Sequence, residues 1–256
     1  MMKLINLSAI YTLWLRETKR FLRAKSRVIG ALGMPLMFLV FMGKGFSKAS
    51  LPGLPQGVNY INYLAPGIIA MILLFGSMFA GISVLWDRQF GFLKEVMVSP
   101  VSRTSIVLGR VAGGVTMALS QAMLMLIASL VMGLKTTVFG VLSSLIFMVL
   151  LSAAFVGLGL AFASKMEDMH GFQMIMNFLM FPLFFLSGAL FPLSELPVWV
   201  EKIALLNPMT YGVDALRATL IGVSVNPLAV DALALIFFCT AMVGFGAYLF
   251  ESVEVD

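Results

Sequence analysis

Charge is what this chain has least of. Of 256 residues, 11% are Asp, Glu, Lys or Arg and 61% are hydrophobic, with a mean hydropathy of +1.02. A water-facing domain carries about 25% charged residues, so a soluble surface is excluded. Cysteine and histidine are almost absent. The single Cys239 lies in an apolar run, which rules out an internal disulfide framework, and the single His170 argues against a metal cluster. No Gly-x-x-x-x-Gly-Lys-Ser/Thr phosphate loop is present, so ATP is not bound here in that way. The apolar runs hold almost no ionisable groups, and Asp231 lies within a turn of the outer end of the last one. Ion-coupled carriers place charges at the membrane midplane, which disfavours that class. An intramembrane serine protease needs a serine and a histidine meeting within the bilayer, whereas His170 falls in a loop at 164–173.

What is present is a set of long apolar runs. About 20 apolar residues cross the hydrocarbon core as a helix. Six runs qualify: Val28–Gly43, Leu64–Trp86, Val111–Gly133, Val138–Ala163, Met174–Phe191 and Leu228–Phe250. The expected fold is therefore an all-α integral membrane protein with six transmembrane helices, forming one domain over residues 1–256. Orientation follows from where lysine and arginine collect. One side holds Lys3, Arg16, Lys19, Arg20, Arg23, Lys25, Arg27, Arg88, Lys94, Arg103, Arg110 and Lys165. The other holds Lys44, Lys48, Lys135, Lys202 and Arg217. Twelve against five places both termini in the cytoplasm. The net charge of +5 is thus a topology and lipid-headgroup signal, and no nucleic-acid partner is expected.

Between the runs, four segments stand out. Residues 1–27 carry an amphipathic interfacial helix over 4–27, with Leu4, Leu7, Tyr11, Trp14 and Phe21 near one face. Arg16, Arg20, Arg23 and Arg27 form a basic stripe on it, either as a simple anchor or as a brace for a cytoplasmic partner. Spans one and two fill 28–86, joined by an external loop at 44–63 rich in Gly and Pro. Residues 87–110 form a charged island. Pro100 cuts it, predicting a short helix over Asp87–Val98 and Ser102 as N-cap of the third span. Spans three to five occupy 111–191. Residues 192–227, cut by Pro192, Pro197, Pro208 and Pro227, are too apolar for a free loop and too broken for a span. A re-entrant or interfacial hairpin on the outer side fits. The sixth span, 228–250, precedes an acidic tail, 251–256.

The stretch Met180–Arg217 resembles the signature of ABC-2 type transporter permeases. The matching positions are Met180, Leu183, Leu186, Ser187, Ala189, Leu196-Pro197, Pro208-Met209, Tyr211 and Arg217. Arg88-Gln89-Phe90-Gly91 and Ser99-Pro100-Val101-Ser102 are similar to the cytoplasmic loop of the daunorubicin-exporter-like branch. The resemblance implies the membrane subunit of an exporter in the multi-pass plasma (inner) membrane of a prokaryote. It implies a second permease copy, most simply a homodimer, and a separate ATP-binding subunit that holds ATP and magnesium, so this chain is itself no enzyme and carries no cofactor. The island becomes the coupling helix between spans two and three. Arg88, Phe90, Phe92 and Glu95 are its expected ATPase contacts, with Arg16, Glu17 and Arg20 secondary. Ser187, Pro197, Pro208, Tyr211 and Arg217 carry the signature, with a structural role expected for the proline break and for Arg217 toward nearby carbonyls.

Phe38 and Phe41 of span one and Phe178, Phe181 and Phe185 of span five are a candidate substrate path for a hydrophobic or amphiphilic drug, antibiotic or lipid. Lipid-facing or helix-packing roles explain the same residues. Gly109 and Gly113 form a small-xxx-small pair suited to close helix packing. A lipid-linked polysaccharide exporter is the alternative within transport, but it calls for a wide, polar-lined channel that these spans do not offer.

Overall fold

The computed structural model describes residues 5–46, 58–99, 101–195 and 197–251, and every regular element among them is helical. The start of the interfacial helix at Leu4, most of the 44–63 loop, Pro100, Leu196 and the tail beyond 251 lie outside the described residues.

The interfacial helix α1 runs Leu7–Arg23, capped by Asn6, whose side chain accepts from Ala9 N at 3.2 Å. It ends before the expected 27 because Ala24 leaves helical geometry, and α2, Lys25–Gly45, starts afresh. The buried side chains of α1 are Leu13, Glu17 and Phe21, spaced four apart, and they pack on α6, Arg103–Val131. Tyr11 remains 59% exposed and Leu7 77%. Thus one edge of the amphipathic face meets protein and the other stays free.

Two glycines make that contact close. A Cβ on Gly109 would stand 2.8 Å from Leu13 Cβ, and one on Gly113 would stand 2.8 Å from Glu17 Cβ. Gly113→Leu is therefore expected to push α1 away at a cost of about 1–3 kcal/mol. A lowered thermal midpoint of the purified protein measures it. Gly33→Ala, where nothing lies within 4 Å of the added atom, serves as the neutral control.

The second apolar run does not stay one helix. It forms α3, Tyr60–Phe79, then α4, Ile82–Gln89. Between them Ala80 N and Gly81 N bond three residues back, to Ser77 O and Met78 O at 3.1 and 3.2 Å, a tightening typical of 3-10 turns. The cause is tertiary: Gly81 lies against the carbonyl of Gly159 in α7, Val138–Lys165. The chain then breaks again at Gly91, whose φ of 76° suits glycine alone. The helix expected over Asp87–Val98 is thus corrected. Asp87 and Arg88 finish α4, and α5 is Phe92–Val98. Ser102 caps α6, its hydroxyl accepting from Ser105 N at 3.3 Å.

α7 follows, capped by Thr137, and α8 is Met169–Phe185. Asp168 caps α8 by accepting from Gly171 N and His170 N, bonds that hold its carboxyl below the usual range. Beyond a 3-10 turn at Leu193–Glu195 come α9, Val198–Ala204, and α10, Pro208–Ile221, with Pro208 in the first turn. α11 is Leu228–Glu251. The core is built on α3 and α7, with α6, α10 and α11 packed around them. Five described stretches are long and apolar enough to cross a membrane: Val28–Gly45, Tyr60–Gln89, Arg103–Val131, Val138–Lys165 and Leu228–Phe250. α8 is apolar but has 17 residues, about 25 Å of helix against a hydrocarbon core of about 30 Å.

Candidate functional site: an ion-pair cluster and an apolar cavity

At the junction of α1, α4 and α6 five charged side chains meet. Asp87 is 3% exposed. Arg16 grips it with two bonds, Nη2 to Oδ1 at 2.7 Å and Nη1 to Oδ2 at 3.0 Å. Arg110 of α6 donates from Nη2 to Oδ2 at 2.8 Å, and Arg20 stands 3.7 Å from Oδ1. Glu17, also 3% exposed, takes a further bond from Arg16 at 3.1 Å. The hydrogen bond to Asp87 holds the Arg16 guanidinium above its ordinary range, against the opposing effect of burial. Aromatic faces complete the site: Arg16 lies 3.9 Å over the Phe92 ring and Arg20 4.6 Å over Trp86. Trp14 Nε1 adds a 2.9 Å bond to Thr116 of α6.

The seven residues expected at the ATPase contact therefore divide. Arg16, Glu17 and Arg20 are engaged inside the chain. Arg88 is half-buried and donates to the Met166 carbonyl at the end of α7 at 3.1 Å. Phe92 lies under Arg16. Phe90, 81% exposed, and Glu95, also exposed, face outward, joined by Val98 at 84%. Asp87 and Arg110, which hold the cluster together, were not singled out from sequence. The signal for them was present: a lone aspartate ending a span, with two arginines one turn apart on α1 and a third early in α6.

The signature residues lie at the other end of the core. Arg217 is buried and donates to three carbonyls: Tyr63 O at 3.3 Å, Gly188 O at 2.7 Å and Ala189 O at 3.0 Å. Its guanidinium also lies 3.6 Å from the Tyr63 ring centre. Ser187 closes the turn that follows α8, donating to Phe184 O at 2.6 Å and accepting from Ala189 N. Asn207 caps α10 and donates to Leu183 O at 2.6 Å, and Tyr211 donates to Leu205 O at 2.8 Å. Pro197 precedes α9 and its carbonyl accepts from Val200 N.

Between these ends lies a cavity of about 360 Å³, walled by α1, α2, α3, α4, α6 and α8. Of the five phenylalanines proposed from sequence, none lines it. Phe41, Phe178 and Phe185 are exposed, at 67%, 83% and 53%. Phe38 is partly buried against the core. Phe181 packs edge-on against Phe75, which does line the cavity, with ring centres 5.6 Å apart.

Comparison with known proteins gives this arrangement its family. The profile described as ABC-2 type transporter matches residues 8–221. This chain belongs to the ABC-2 type transporter family. The Porphyra purpurea protein called transport permease ycf38 is 30% identical over 200 residues, 76% of this chain and 68% of the relative. Inner membrane transport permease YadH of Escherichia coli strain K12 is 28% identical over 239 residues, 91% of each chain. Nodulation protein J of Rhizobium leguminosarum bv. viciae is 27% identical over 201 residues, 78% of this chain and 76% of the relative. Within this ABC-2 permease the matched region runs from α1 to the end of α10, so it holds the ion-pair cluster, the cavity and the Arg217 site together.

Proposed function

We propose that the chain is the membrane subunit of an ATP-driven exporter, energised by a separate ATP-binding subunit that docks on the outward edge of α5. The observation that carries this reading is the cluster around Asp87. It ties α5, through Phe92 and Arg16, to the interfacial helix and to α6, so force applied at α5 reaches the membrane helices. Among the described residues Phe90, Glu95 and Val98 are exposed and available to meet a partner.

The finer topology follows from the same reading. α8 serves as a sixth span, both termini lie in the cytoplasm, and α9 with α10 forms a re-entrant hairpin on the outer side. The export direction and a pairing of two copies rest on the resemblance to drug-exporter permeases, and a prokaryotic plasma membrane accords with the naming of YadH. The cargo is hydrophobic or amphiphilic, because the cavity is walled mostly by apolar side chains. Polysaccharide export is less well supported, since a sugar chain needs a longer polar channel.

The test uses co-purification of a soluble ATP-binding subunit carrying a phosphate-loop motif. Phe90→Ala and Glu95→Arg are expected to reduce its recovery roughly tenfold or more, as loss of a central interface anchor does. Unchanged recovery together with unchanged transport would sink the assignment of this edge.

A further inference from the structure

Two carboxamides line the cavity, Gln121 and the exposed Gln173 at its mouth, and Gln121 is the buried one. Gln121 of α6 lines it, is 6% exposed, and forms no hydrogen bond with any described residue. It sits beside Gly76 of α3, where an added Cβ would stand 3.1 Å from Gln121 Oε1. A buried carboxamide retains two donors and an acceptor to offer a ligand. The surrounding wall is apolar, with Met34, Phe75, Phe79 and Met117 on its sides. Among the described residues no Asp, Glu, Lys or Arg lines it.

Depth decides what kind of ligand fits. Arg110 is the last charged residue of α6, which begins at Arg103, and Gln121 is eleven residues further along the same helix. At 1.5 Å per residue that is about 16 Å, close to half of a hydrocarbon core of about 30 Å. Gln121 therefore stands near the midplane, where a charged group without a counter-ion is costly. The mouth lies between α2 and α8, because Met34 and Gln173 line the cavity and are themselves exposed. At its cytoplasmic end a smaller pocket shares Phe79, Trp86 and Met117 and reaches Glu17 and Arg20.

We infer that Gln121 is the hydrogen-bonding selector of this cavity, which admits an uncharged amphiphile whose polar group both donates and accepts, such as a primary amide. Carboxylates and plain hydrocarbons are discriminated against, the first because no described residue beside Gln121 offers a counter-charge and the second by leaving the carboxamide unpaired. The inference deepens the transport reading and rests on it for the bound molecule being cargo. Binding itself is tested without an ATPase.

Trp86 supplies the readout, because it lines the cavity. The full chain carrying Trp14→Phe and Trp199→Phe retains one tryptophan and is reconstituted in phosphatidylcholine vesicles. Three quenchers are compared at pH 9: 9,10-dibromostearamide, 9,10-dibromostearate and 9,10-dibromooctadecane. The amide is expected to quench Trp86 at a roughly tenfold lower mole fraction than the other two, the worth of one net hydrogen bond. Gln121→Leu is expected to erase that preference and to raise quenching by the hydrocarbon, which then leaves no carboxamide unpaired. Gly76→Ala, which crowds the carboxamide oxygen, is expected to reduce it. A parallel arm adds 4-bromobenzamide from water. A preference confined to the long-chain amide supports a lipid-like ligand, and one shared with the short amide supports a drug-like ligand on the same selector.

An amide preference that survives Gln121→Leu, or a carboxylate that binds as well as the amide, overturns the inference. If the preference holds but the α5 variants leave ATPase recovery intact, the docking proposal falls and the selector stands.

Discussion

Replacing Arg217 with leucine is expected to leave little folded protein. The side chain is the common donor for the carbonyls of Tyr63, Gly188 and Ala189, which belong to α3 and to the turn after α8. Leucine fills part of the volume and satisfies none of them. Each orphaned carbonyl costs about 1–3 kcal/mol, and the costs overlap because Gly188 and Ala189 share one turn and Gly188 O still accepts from the Tyr63 hydroxyl. A net loss of about 3–5 kcal/mol is expected, a large part of the 5–15 kcal/mol that holds an ordinary domain together. Gly188, at φ 72°, sits in the turn that loses its anchor. Arg217→Lys is expected to fall between, since an ammonium cannot hold carbonyls on two elements with a planar fork. Size-exclusion yield and thermal midpoint in detergent give the measurement. A leucine variant with native yield and midpoint would remove Arg217 from the structural role assigned to it.

The second large effect is at Asp87. Asp87→Asn keeps the shape and removes the charge that faces Arg16, Arg20 and Arg110. Arg110 is the most exposed to this loss in energetic terms. Its side chain is 1% accessible, and its Nε and Nη1 have no partner, so Asp87 supplies its one bond among the described residues. Stranding a buried guanidinium costs about 3–5 kcal/mol, whereas exposed pairs contribute at most about 1 kcal/mol. The expected result is a lowered midpoint and release of α1 from α6, read as faster proteolysis within 7–23. The cycle that separates charge from packing adds Arg110→Met. The double variant is expected to be more stable than Asp87→Asn alone, because no buried cation is left unpaired. A double variant as unstable as the sum of its parts would refute the ion-pair account.

These two sites show how far the sequence could be read. Hydropathy located the apolar helices because membrane crossing is a property of a segment's own composition. Ser102 as the cap of α6 was legible for the same reason, since a cap is a local bond. The break at Gly91 was visible as a glycine but not as a break, because φ is not written in composition. The break at Ala80–Gly81 was hidden altogether, since it answers to Gly159, nearly eighty residues away. The ion-pair cluster was hidden differently. Its arginines read as a stripe for either a membrane anchor or a partner, and whether a charged stripe faces out or in depends on what packs against it. Here α6 brings Arg110 and two glycines to the same face, and Asp87 closes the circle. The cavity was legible in chemistry but not in membership. Aromatic side chains were expected to line it, and Phe75 does, though none of the five phenylalanines named for that role does.

The crossing of α3 and α7 has a mechanical meaning. Gly81 meets the Gly159 carbonyl, and Gly159 in turn meets Met78 O, so two backbones touch with no side chain between them. Sliding one helix along the other by a single residue would bring a Cβ into a carbonyl oxygen. Rotation about the touching point brings in no such atom. The pair is keyed against translation, so a piston-like slip of one helix past the other is the motion this crossing resists most.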